Sequence, residues 1–148
     1  MIWVDADATP REIKEVLIRS SQRRKVSVVF VANRYLSLPS TTTISMIVVP
    51  NGPDEADHYI AEHCQKNDLV ISADVPLAAR VVEQGGTILQ PRGRILDEEN
   101  VDEALSFRDF GDSLRSSGIE TGGPRPFRTG DKVQFSNALD RWLTQNGF

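Results

Sequence analysis

The sequence predicts an α/β fold: a predominantly parallel sheet with helices on both faces, in three layers (α/β/α), followed by a helical extension at about 97–148 within one domain spanning 1–148. Three observations lead there. Short apolar, β-branched runs alternate along the chain with segments whose apolar residues recur at helical spacing. Gly, Pro and Asn punctuate the junctions between them. Acidic residues fall at the ends of predicted strands rather than inside them.

Residues 2–5 (IWVD) read as a short buried strand ending in acid. Thr9-Pro10-Arg11-Glu12 reads as a helix start, with Thr9 as cap, Pro10 at the first helical position and Glu12 completing a capping box. Ile13, Val16 and Leu17 then give one apolar helix face to about Arg23. Val26–Ala32 (VSVVFVA) is a second buried strand, and Ile44–Val49 a third after the loop carrying Pro39. Asn51-Gly52-Pro53 marks a turn, and Asp54 opens a helix bearing Asp57, Ile60 and Ala61 that closes near Asn67-Asp68.

Leu69–Ser72 is the fourth strand, with Asp74 just past its end. Pro76 opens a helix containing Leu77, Val81 and Val82, and Gly85-Gly86 stops it. Thr87–Leu89 is a short fifth strand. Beyond Pro91 the pattern predicts helices at Glu98–Leu105 and Phe107–Leu114, an interruption from Gly118 through GIETGGPRPF, and a last helix capped by Thr129. In that helix Phe135, Ala138, Leu139 and Trp142 share an apolar face.

Bulk properties narrow the function. A net charge of -4 argues against a protein that coats DNA non-specifically, although acids gathered in a site with arginines around it remain compatible with a nuclease. The single cysteine, Cys64, excludes an intramolecular disulfide framework and agrees with a reducing compartment; its thiol reads as a passive helix residue. No leader pattern opens the chain and no apolar run reaches bilayer length, so the expectation is a soluble cytoplasmic protein without a membrane partner.

The chemistry concentrates on carboxylates. In open parallel sheets ligands bind beyond the carboxyl ends of strands, where strand order reverses. If the first and fourth strands are neighbours there, Asp5 and Asp74 converge, and Asp7 and Asp57 reach the same cleft. Clustered carboxylates repel one another unless protons or cations intervene. An all-oxygen donor set suits Mg²⁺ or Mn²⁺ better than zinc. Asp54 reads either as a further ligand or as a helix cap, and Asp68 as a turn or cap residue. His58 and His63 lie five apart, off the same-face metal spacing of three or four, and read as solvated or locally bonded. Arg92, Arg94, Arg108, Arg115, Arg125 and Arg128, with Lys132, could grip the phosphates of RNA or another phosphate-bearing substrate, or simply balance surface charge. Gly122-Gly123-Pro124 could bring backbone amides to a ligand or make a rigid turn.

At these residues the sequence resembles the YaiI/YqxD family of bacterial proteins nearly end to end. The resemblance is carried by WVDADATP (3–10), VAN (31–33), DEAD (54–57), DLVISADVPLA (68–78), QPRG (90–93), EEN (98–100), RDFGDSLR (108–115), SGIETGGP (117–124) and FSNALDRWL (135–143). That family in turn is similar, distantly, to PIN and NYN nuclease domains, which use strand-end acids with Mg²⁺ or Mn²⁺ to cleave nucleic-acid phosphodiesters. The resemblance implies a PIN-like domain in which Asp5 is the first-strand acid, Asp57 the middle-helix acid with Asp54 as its rival, and Asp74 the later strand-end acid. It implies Asp7 as an additional ligand, and RNA before DNA. Asp5, Asp7 and Thr9 also resemble the DxDxT signature of haloacid-dehalogenase-like phosphatases, with Asp5 as nucleophile, but a matching downstream lysine and paired-acid motif are missing. A non-enzymatic nucleotide- or RNA-binding module is the other alternative.

Overall fold

In a computed structural model that describes residues 1–118 and 126–148, six strands form one sheet. They are β1 (Ile2–Asp5), β2 (Val28–Ala32), β3 (Ile44–Val48), β4 (Leu69–Ile71), β5 (Thr87–Leu89) and β6 (Ile95–Leu96), in the order β3-β2-β1-β4-β5-β6. β1 to β5 pair in parallel, and β6 runs antiparallel to β5. Helices α1 (Arg11–Arg24) and α5 (Thr129–Gln145) cover one face; α2 (Glu55–His63), α3 (Val75–Glu83) and α4 (Val101–Ser116) cover the other. The result is the expected three-layer α/β/α arrangement with a C-terminal helix.

The strand sequences explain the two cores. Side chains alternate across a strand, so Ile2 and Val4 join Val28, Phe30, Leu69, Ile71 and Leu89 beneath α1 and α5. Trp3 points the other way, to Val29, Val31, Val70 and Ile88 beneath α2 and α3. Both faces being covered, β2 (VVFVA) is buried at every position, which is why it reads as an unbroken apolar run. α5 contributes Phe135, Ala138, Leu139, Trp142 and Leu143 to the first core, so this helix is part of the packing around the sheet.

Several local expectations need correction. Thr9 does not cap α1: its hydroxyl donates to the Asp5 carbonyl at 2.7 Å, and Pro10 takes the cap position, its carbonyl accepting from Ile13 and Lys14. No capping box with Glu12 forms. α2 ends at His63, short of Asn67-Asp68. The two helices anticipated after Glu98 are one, α4, and it starts later because residues 97–100 make a turn: Asp97 N–H donates to Asn100 Oδ1 and Glu99 N–H to Asp97 Oδ1, both at 2.9 Å. β6 went unread because two residues cannot display a period. At α5, Arg128 rather than Thr129 holds the cap position, and its amide donates to Asp131 Oδ2 at 2.9 Å. The Gly85-Gly86 stop holds: Gly85, at φ +86°, donates to Val82 and Gly86 to Val81. Among the described residues no helix is long and apolar enough to cross a membrane.

Candidate metal centre

β1 and β4 lie side by side, yet the chain leaves β1 into α1 on one face and leaves β4 into α3 on the other. The two connections therefore diverge and open a crevice at the carboxyl end of the sheet. Asp5 is the last residue of β1, Asp7 sits in the 3-10 turn that follows it, and Asp74 lies just past β4. α2 packs over β1 and β2 and carries Asp57, with Asp54 immediately before it.

Carboxylate oxygens of Asp54, Asp57 and Asp74 all lie within 4.8 Å of one another. Asp5 hydrogen-bonds to Asp57 from beneath, and its Oδ2 accepts a long bond from Ser72 Oγ at 3.5 Å. Ser72 Oγ in turn accepts from the Asp74 amide at 3.1 Å, tying the ends of β1 and β4 together. Asp74 also caps α3: its Oδ1 accepts from Leu77 N–H at 2.8 Å. Asp7, exposed at the mouth, accepts the Asn33 amide on Oδ2 at 2.8 Å. Asp5, Asp7, Asp54 and Asp57, with Asn33 and Val49, line a cleft of about 160 Å³.

Asp54 stands at the cap position of α2, but its side chain makes no capping hydrogen bond. Its backbone is left-handed, at φ +65°, a conformation Asp tolerates better than most residues but still at some cost. The carboxylate that local capping would have used is turned to the other acids instead.

Electrostatics follow from crowding. The Asp57 carboxyl is pushed up to about 7, first by burial, then by the charges of Asp5 and Asp74 and by hydrogen bonds to both. Burial also raises Asp5, against the hydrogen bond from Asp57; Asp7 and Asp74 push it up further while Ser72 lowers it. Without a cation, the cluster relieves its repulsion by holding a proton. The donor set fits a hard divalent ion, since every candidate ligand is a carboxylate oxygen. The clustered Asp54, Asp57 and Asp74 could thus bind a divalent metal.

Residues 3–145 match the family described as "Uncharacterized BCR, YaiI/YqxD family". The chain belongs to the YaiI/YqxD family. Its relatives include a UPF0178 protein of Desulfotalea psychrophila, 51% identical over 97% of both chains, and one of Shewanella sp. strain MR-7, 49% identical over 97% of this chain and 95% of the relative. A UPF0178 protein of Legionella pneumophila strain Lens is 46% identical over 98% of both. No solved structure matches the chain.

The remaining candidates of this YaiI/YqxD chain are dispersed. Arg92 lies in the turn after β5, near the carboxyl edge, and Arg94 is exposed two residues on. Arg108 and Arg115 both pair with Asp112 on the surface of α4, Arg108 at 3.0 Å. Arg128 precedes α5, while Arg125 and Gly122-Gly123-Pro124 lie outside the described residues. His63 bonds the Tyr59 carbonyl and stacks on its ring, and His58 contacts Arg80. Cys64 is buried, its thiol pushed up by burial and near Gln84 Oε1. A hollow of about 640 Å³ runs between α1 and α5 beside Arg19, Arg23 and Lys132, away from the acids. Ser72 is the site neighbour that sequence reasoning missed; its only signal was a hydroxyl two residues before a strand-end acid.

Proposed function

We propose that this chain is a divalent-metal-dependent phosphodiesterase acting on nucleic acid, with RNA before DNA as substrate and Mg²⁺ or Mn²⁺ as the ion. One observation carries the reading: acids from β1, α2 and the β4–α3 junction converge at the switch point, with those of Asp54, Asp57 and Asp74 within 4.8 Å. The resemblance of the family to PIN and NYN domains supports the choice of nucleic acid. A divalent ion held there would supply positive charge and Lewis acidity to a phosphodiester oxygen.

The chain's own residues do the rest. Asp54, Asp57 and Asp74 hold the ion. Asp5, buried and bonded to Asp57 and Ser72, fixes the orientation of Asp57 from below. Asp7, anchored through one oxygen by the Asn33 amide, keeps its other oxygen at the cleft mouth, where it accepts a proton from the attacking water. Phosphatase chemistry with Asp5 as nucleophile suits the site less well, because that carboxylate is only 9% exposed and the Thr9 hydroxyl is committed to the Asp5 carbonyl. One domain over 1–148, working in the cytoplasm, completes the proposal.

Calorimetric titration with Mn²⁺, paired with cleavage of a labelled single-stranded RNA, tests it. The native chain is expected to bind the ion and cut the strand, and Asp74→Asn to lose both while still folding. RNA bound but never cut, with or without Mn²⁺, would instead establish a binding module. Failure to bind either ligand would sink both readings.

A further inference from the structure

A second hollow adjoins the acids across the sheet edge. Its volume is about 260 Å³, just below the roughly 300–1,000 Å³ of pockets that take drug-sized ligands, so it suits a single ring system. Ala8 and Ala73, the chain neighbours of Asp7 and Asp74, form its border with the acids. Pro10, Pro91 and the Phe127 ring give it apolar walls; Gln90 and Arg92 are its polar members. Where the acidic cleft lies toward β2 and β3, beside Asn33 and Val49, this hollow lies toward β4 and β5.

Its walls are held firmly. Gln90 N–H donates to the Arg94 carbonyl and Gly93 N–H to that of Gln90, both at 2.8 Å, closing a tight turn with Arg92 in it. Gly93 sits at φ +95° so close to α5 that a Cβ there would stand 2.7 Å from the Gln134 carbonyl carbon. The turn is therefore clamped to the helix that follows Phe127, and Phe127 itself packs against the core under α1 and α5. An aromatic wall, a guanidinium and an amide around a one-ring space are the elements with which proteins hold an unstacked base and its phosphate.

We infer that this hollow is a nucleobase subsite: a single strand laid along the carboxyl edge of the sheet puts one phosphate at the acids and stacks the adjoining base on Phe127, with Arg92 on the next phosphate. The inference rests on the phosphodiesterase reading for its substrate class, but its test does not depend on cleavage. A short single-stranded RNA carrying 5-iodouracil is photocrosslinked to the full chain, adducts are mapped by mass spectrometry, and RNA affinity is measured by fluorescence anisotropy. The expected adduct is on Phe127. Phe127→Leu, which keeps most of the packing but not the stacking face, should weaken RNA binding roughly 5- to 100-fold and leave Mn²⁺ affinity unchanged; Arg92→Gln should weaken it with a reduced salt dependence. No RNA binding, adducts only elsewhere (on the exposed Phe107 and Phe110 of α4, for example), or unchanged affinity in Phe127→Leu would overturn the subsite. An adduct on Phe127 without cleavage by the native chain would remove the hydrolase reading alone. Cleavage with Phe127 unmodified and affinity unchanged would remove the subsite alone.

Discussion

Asp68 and Asp57 belong to opposite edges of the same sheet, and their surroundings are opposite too. At the amino end of β4, donors converge on Asp68: the Trp3 indole N–H at 3.0 Å, the Gln65 amide at 2.9 Å and the Met1 ammonium at 3.4 Å. At the carboxyl end, Asp57 meets the carboxyls of Asp5 and Asp74 and is driven up to about 7. A carboxylate supplied with donors is a structural tie, complete as it stands. One supplied with other carboxylates is incomplete until a proton or a cation joins it.

The sharpest way to break this contrast is to neutralise each side. Asp57→Asn should lower Mn²⁺ affinity at least about 100-fold, since loss of a mere outer-shell partner of a metal ligand already costs 10–100-fold; equal calorimetric isotherms for native and variant would end the comparison. Asp68→Ala should leave Mn²⁺ binding intact but destabilise the fold by about 2–3 kcal/mol, because the buried Trp3 indole loses its acceptor; chemical denaturation measures it. The smallest effect concerns pH. Asp57 holds its proton far more tightly folded than unfolded, so its contribution to stability is full below about pH 4 and is lost as pH rises toward about 7. Metal-free protein should accordingly melt about 3–6 °C higher at pH 5 than at pH 8, Asp57→Asn should flatten that slope, and added Mn²⁺ should reverse it.

Much of this arrangement was legible in the residues. β1, β2, β4 and β5 announce themselves because burial on both faces forces continuous apolar runs, and Asp5 and Asp74 stand out as acids at the ends of two of them. What the sequence could not display was adjacency. That β1 and β4 are neighbours had to be assumed, and Ser72 meets Asp5 across 67 positions of chain, with nothing local to mark it. Asp54 read as either cap or ligand because both need the same residue before a helix; only its left-handed backbone, which denies it the capping bond, separates them. α4 was divided because Phe107 and Phe110 are 68% and 64% exposed, so its apolar residues do not trace a buried stripe.

The placement of α5 has a consequence for how the protein is made. Every acid of the cluster lies at or before Asp74, whereas the core beneath β1 is closed by Phe135, Leu139, Trp142 and Leu143. At 5–20 residues per second the ribosome delivers Phe135 roughly 3–12 s after Asp74. During that interval the nascent chain carries its most repulsive charges on a sheet one face of which has only α1 to cover it. A chaperone or a divalent cation engaging the chain in that window would act on it before it has finished folding.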